Sequence, residues 1–238
     1  DNTPPDYTIQ LPQFGTPRNI STDGSTYFFV GDHNARVNGM AGTFFWNSYP
    51  TFANQPYDFY RNEWIKGSRL PGGELVAGGL MNIYTWNNPP TDSLTPPDHS
   101  VAPAYYSNGD GPDVVYAGGK IYVNNYNGND VLVYDSIPTA ASPDPIFAIG
   151  VQDFHDNTLD SLGYIQNPVM AGADNRMFVT SDFDRNLHIF NDVTAPSPIA
   201  DTIVPLSFMP WDNEADPLQN VFVAAGNQQV GIWDNLSH

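Results

Sequence analysis

Five weakly similar segments recur along the chain, and no other feature restricts its fold as strongly. Each is a short apolar run with an aromatic residue near its end, followed by polar or proline-rich turn residues. They are Phe44–Thr51 (FFWNSYPT), Tyr84–Thr91 (YTWNNPPT), Val131–Thr139 (VLVYDSIPT), His188–Ala195 (HIFNDVTA) and Gly231–His238 (GIWDNLSH). The anchor aromatics Trp46, Trp86, Tyr134, Phe190 and Trp233 stand about 40 to 56 residues apart, a period that holds four strands and their turns. A unit of that size cannot bury both faces of its own sheet, so neighbouring units must stack. The intervals differ because the extra residues fall in loops, where added length costs little.

Taken in order, the third and fourth copies are clear: DVVYAG, KIYVNN, DVLVYD and PIFAIG, then NPVMAGAD, RMFVTSD, NLHIFND and DTIVPL. The second copy is eroded, with strands expected at Glu74–Gly79, at NIYTW and around Ser100–Ala102, and a first strand near Trp64–Ile65. The fifth supplies NVFVAAG and GIWDN and lacks a fourth strand, while Asp6–Leu11 (DYTIQL) reads as a strand that belongs to no repeat. Joining these two ends completes a unit. The expectation is therefore an all-β, five-bladed β-propeller of four-stranded antiparallel blades, one domain over residues 1–238, its last blade completed by the N-terminal strand. Asp6–Leu11 would then pair with Gly231–Asn235 of its own chain, favoured by tethering, the alternative being the open blade of a neighbouring copy. The anchor aromatics are expected in the core between sheets.

Lys120–Thr139 (KIYVNNYNGNDVLVYDSIPT) followed by Asp144–Gly150 (DPIFAIG) closely resembles the repeat of the bacterial, extracellular type of the NHL family. Gly15–Val37 resembles its opening half, with Asp32, Asn34, Arg36 and Val37 in the family's order. The resemblance implies a propeller of four-stranded blades whose hairpin Asp and Arg support the turn and contact the next repeat. The first copy keeps both, at Asp32 and Arg36, whereas the third has Asn125 and Asp130 there. NHL-like propellers serve as lyases, sensor domains and protein- or RNA-binding platforms, so the family leaves function open.

Charge narrows the partners. The chain has 26 acidic and 8 basic residues, a formal net charge of −18, and only two lysines, Lys66 and Lys120. Such a surface repels phosphate backbones and anionic membranes, so nucleic-acid binding and membrane insertion are not expected, and no apolar run reaches the ~20 residues of a membrane span. The lack of cysteine rules out thiol chemistry, and a core of this size needs no disulfides. Few lysines among many Asn, Ser, Thr and Pro residues read as an extracellular or cell-surface composition, and the opening DNTPPDY fits a processed N-terminus. Asn19-Ile20-Ser21 and Asn235-Leu236-Ser237 have the form of glycosylation sequons, making Asn19 and Asn235 candidate acceptors.

Catalytic signatures are scarce. No G-x-S-x-G occurs. Zinc relatives within the propeller lyases use clustered histidines, but His33, His99, His155, His188 and His238 fall at different levels of different repeats, so no three are expected to converge. No cofactor is expected; the candidates for a structural calcium ion are Asp182 and Asp184 in SDFDRN and the turn Asp110-Gly111-Pro112-Asp113, which offer oxygens without the spacing of a dedicated calcium loop. Tyr49, Phe52, Tyr57, Tyr105, Tyr106 and Tyr126, in or beside loops, either pack between blades or meet a protein or glycan partner. The reading that follows is a non-enzymatic binding or structural module with no catalytic residues, partnered by a protein, a glycan or copies of itself as a surface or filament subunit. The alternative is a metal-dependent lyase or hydrolase with its site in the central channel.

Overall fold

The computed structural model describes residues 6, 8–23, 26–103, 105–106, 111–139, 144–151, 165, 167–181, 183–194, 199–216, 221–226 and 229–234. Each repeat folds as an antiparallel meander, because its apolar runs are short, alternate in exposure and are separated by turn residues. The first is β1 (Pro17–Thr22), β2 (Phe28–Ala35), β3 (Met40–Trp46) and β4 (Phe59–Arg61). The second is β5 (Lys66–Arg69), β6 (Leu75–Gly78), β7 (Ile83–Trp86) and β8 (His99–Val101). The third is β9 (Val114–Ala117), β10 (Lys120–Asn125), β11 (Asp130–Tyr134) and β12 (Phe147–Ile149). The fourth is β13 (Pro168–Ala173), β14 (Arg176–Ser181), β15 (Asn186–Phe190) and β16 (Thr202–Pro205). The fifth repeat forms a sheet of three described strands, β17 (Asp212–Asp216), β18 (Val221–Gly226) and β19 (Gln229–Asp234).

The first strands β1, β5, β9, β13 and β17 neighbour one another in that order, so they run side by side around an axial channel. This is a β-propeller with four complete blades and a three-stranded fifth sheet, where the repeat count predicted five complete blades. Apolar layers fill the spaces between sheets. Phe29, Phe45, Ile65, Leu75 and Trp86 join the first blade to the second; Val133, Ile149, Met170 and Val179 join the third to the fourth. Four anchor aromatics, Trp46, Trp86, Tyr134 and Phe190, are buried as expected, while Trp233 is half-buried against the fourth blade's cluster.

Polar residues fix the turns around these layers. The carboxylates of Asp58, Asp98 and Asp201 each accept a 2.7 Å hydrogen bond from the backbone N–H just after the anchor aromatic, at Asn47, Asn87 and Asn191. Asp32 is fully buried and accepts from the N–H groups of Gly15, Thr16 and Asn34 at 2.8–2.9 Å, which anchors the β2–β3 hairpin to the entry of its own blade. Among the described residues no helix is long and apolar enough to cross a membrane.

The N-terminal expectation is corrected. Residues 8–11 form no strand, and β19 pairs with β18 alone among the described residues. Ile9 and Leu11 pack with Phe14 on the cluster of Val30, Phe44 and Trp46, and the carbonyl of Thr8 and the N–H of Gln10 bond to Asn54 in the β3–β4 loop. The alternation that resembled a closing strand instead seals the outer face of the first blade. Val230 and Ile232 of β19 are each 64% exposed, so that sheet carries no cover there.

Candidate functional site

The inner strands PRNIST, KGSR and DNEAD are polar because one side of each borders the channel rather than a neighbouring sheet. One of the two lysines sits among them. Lys66, at the start of β5, is 6% exposed and donates to Asp113 Oδ2 at 3.3 Å and to Asp212 Oδ1 at 3.0 Å. Asp113 stands just before β9 and Asp212 begins β17, so a single ammonium ties three sheets. The remaining two join at the same level: Asp113 Oδ2 also accepts the N–H of Met170 in β13 at 2.8 Å, and Ser21 Oγ of β1 accepts the N–H of Gly67 at 3.1 Å. Side-chain amides continue the lacing: Asn19 Nδ2 donates to Pro112 O, Asn124 Nδ2 to Pro168 O and Asn213 Nδ2 to Val169 O.

Titration follows from that burial. Desolvation pushes the Asp113 carboxyl up to about 6, with Lys66 pulling the other way. Its second oxygen, Oδ1, is buried with no hydrogen-bond donor among the described residues. Burial pulls the Lys66 ammonium down, but Asp113, Asp212 and Glu214 together outweigh it, so the amine stays charged. Glu214, on β17, is reached by water from the channel yet ringed by protein; that partial burial raises its carboxyl, again against the pull of Lys66. Glu214 and Lys66 line a cavity of about 210 Å³ together with Ser21, Ser68, Arg69 and Tyr116. Arg69 is paired with Asp23 at 2.6 Å at the far end. A carboxyl of raised pKa beside a fixed ammonium can hand over or take up a proton while the cation steadies negative charge.

The opposite mouth is aromatic. The Arg18 guanidinium lies 5.9 Å from the Trp64 ring and 5.8 Å from the Trp211 ring, and His33 packs against Trp64 with the ring centroids 5.2 Å apart and tilted by 56°. Gly31 permits this approach, because a Cβ there would strike Asn19 Oδ1 and the indole of Trp64.

The sequence candidates scatter. Asp184 accepts from Asn186 N at 2.8 Å and contacts His188 Nε2 at 3.0 Å, so its carboxylate is engaged within its own hairpin; Asp182 lies outside the described residues. In the second calcium candidate, Asp113 is the channel residue above and Asp110 lies outside the described residues. Asn19 is corrected as a glycosylation acceptor: it is 6% exposed, with Oδ1 bonded to Trp64 Nε1 and Nδ2 to Pro112 O, while Asn235 lies outside the described residues. The described residues do not fit a zinc centre. Among the described residues no three His, Cys, Asp or Glu side chains are grouped to hold a metal, and the channel carboxylates already face the Lys66 ammonium. His188 is buried on β15 and His33 sits at the mouth, while His155 and His238 lie outside the described residues. Of the loop aromatics, Tyr106 and Tyr126 are buried, Tyr105 and Phe52 are exposed, and Tyr49 and Tyr57 pack edge-on to Phe28 and Phe44. The Lys66, Asp113, Asp212 and Glu214 set itself was missed in the sequence; its one signal was a lone lysine within a run of polar residues.

No protein-family model matches the chain, and a comparison with curated proteins finds no match. Among solved structures the chain is similar to the glutaminyl cyclase of Myxococcus xanthus, with a TM-score of 0.54 and 14% identity over 93% of this chain and 95% of that one. At that identity the similarity shows the fold. It also corrects the expectation of a non-enzymatic binding or structural module, because the solved propeller that this chain matches over almost its full length is that of an enzyme.

Proposed function

We propose that this protein is a propeller enzyme whose reaction runs in the central channel, with Glu214 as general acid and base and Lys66 as the fixed cation that stabilises charge on the reacting oxygen. The observation that carries this reading is the pairing, on one cavity wall, of a raised carboxyl with an ammonium that three carboxylates keep charged. A protonated Glu214 can donate to a departing amine or ammonia, and Lys66 can face the oxyanion of a carboxamide under attack. That chemistry belongs to lyases, hydrolases and cyclising transferases acting on amides. Asp113 is not among the residues that line this cavity; its part is to hold Lys66 in place and in charge.

The neighbouring fold suggests the first substrate to try, a short peptide with an N-terminal glutamine, followed by ammonia release. Glu214→Gln should lower kcat by at least about 100-fold, the scale of a lost general acid, with little change in melting temperature because the side chain borders the cavity. Turnover at the unmodified rate in Glu214→Gln overturns the assignment.

A further inference from the structure

A slot of about 530 Å³ opens between the first blade and the start of β17. Strand alternation turns Phe29 and Phe45 toward the second blade, so Phe28 and Val30 face the other way. With Ile9, Phe14 and Tyr49 they give the slot an apolar wall, in contrast to the polar strands of the channel. Its volume falls within the roughly 300–1,000 Å³ of small-molecule sites. Two residues connect the slot to the channel. Ile20 of β1 borders both hollows, the slot and the cavity that holds Lys66 and Glu214, and it is 51% exposed. Asp212 borders the slot and also bonds through Oδ1 to the Lys66 ammonium at 3.0 Å.

We propose that this slot is the specificity pocket of the channel and takes an apolar side group, aromatic by preference, carried next to the amide on which the channel acts. The proposal rests on the channel reaction proposed above. The Glu214 cavity, at about 210 Å³, is smaller than the roughly 300 Å³ at which small-molecule sites begin, so much of a substrate must lie outside it. A molecule whose polar end meets Lys66 and Glu214 finds apolar surface just past Ile20. Ile20 and Tyr49 are both half-exposed, and an occupant of the slot removes their apolar surface from water together with its own. Phe28 and Tyr49 already pack edge-on at 5.6 Å, an arrangement that a third ring can extend.

Calorimetric titration of the full chain tests the proposal with two neutral probes, N-acetylphenylalanine N-methylamide and N-acetylalanine N-methylamide. The phenyl probe should bind at least about tenfold more tightly, the gain expected when one aromatic side chain leaves water. Ile20→Asp, at a half-exposed side chain, should abolish that preference. Tyr49→Ser, also at a half-exposed side chain, should reduce it, and it decides the matter should Ile20→Asp lower the melting temperature. Equal affinity for the two probes, or a preference unchanged in both variants, overturns the proposal. The titration needs no turnover, so it is read apart from the reaction. With N-terminal glutaminyl peptides as substrates, kcat/KM should be at least about tenfold higher for phenylalanine than for glycine in the second position. Turnover without that preference overturns the slot and leaves the reaction standing, whereas selective binding of the phenyl probe without turnover supports the slot and counts against the reaction.

Discussion

Replacing Lys66 by Met tests the channel assignment on stability alone, without a substrate. The ammonium is bonded to Asp113 and Asp212, and Asp113 is fully buried. Methionine fills much of the same volume and leaves Asp113 as an unpaired buried carboxylate, a change that typically costs about 3–5 kcal/mol. For a domain of this length that is a fall in melting temperature of roughly 10 °C. The loss should also depend on pH. Burial already holds the Asp113 carboxyl at about 6, above its ordinary value, so the folded state favours its protonated form. That part of the stability is present at low pH and is lost as pH rises through about 6. Without Lys66 the carboxyl moves higher still. Scanning calorimetry at pH 7.5 and pH 5 should therefore show the gap between Lys66→Met and the parent chain narrowing on the acid side. Lys66 itself does not titrate in this interval. Adding Asp113→Asn to Lys66→Met removes the orphaned charge and should recover most of the loss at pH 7.5. A Lys66→Met chain that melts within about 2 °C of the parent, or a double variant that recovers nothing, refutes a tie that bears stability.

Other expectations rest on single features. Burial pushes the Asp130 carboxyl up to about 8, so it is protonated at neutral pH in the fold, and its contribution, fully present below the ordinary carboxylate range, is lost progressively as pH rises through about 8; Asp130→Asn should leave the melting temperature nearly unchanged at about pH 4 and raise it at about pH 8, read by thermal scans across that range. Trp46 is 1% exposed and Trp233 half-buried, so Trp46→Ala should lose about 3–5 kcal/mol in urea unfolding and Trp233→Ala clearly less. Phe14 packs edge-on to Phe44 at 5.0 Å, and Phe14→Ala should destabilise the first blade, seen as faster amide exchange in β2 and β3 with β14 and β15 unaffected.

The sequence made the third and fourth repeats legible and the inner strands of the second and fifth nearly silent, for one physical reason. KIYVNN and RMFVTS lie between neighbouring sheets and are buried on both faces, so they are apolar wherever they are read. KGSR and DNEAD face a polar channel on one side, and they look like loop. The first strand of the fifth repeat therefore passed unseen, and with it Asp212 and Glu214. DYTIQL misled in the opposite direction: its alternation does bury Ile9 and Leu11, but alternation says nothing about which surface receives them. The site left no local motif either. Lys66 meets partners 47 and 146 residues away in the chain, and their pairing becomes visible only once the ring has formed. Asn19 shows the same limit, a surface signature in sequence that the fold turns inward.

The tie between Lys66 and Asp212 has a consequence for how the chain folds. Stacked repeats can form one after another, each stabilised by the neighbour already in place. This ion pair instead joins residues 146 apart, and ordering a loop of that length must precede any gain from the contact. During synthesis the first three repeats can assemble with Lys66 already held by Asp113, while Asp212 emerges near the end. Final consolidation of the channel is then a late, slow step of high contact order. Until it occurs, the channel's ammonium and carboxylates are not assembled, and the activity proposed for them should lag behind recovery of the β-sheet signal in a refolding chain.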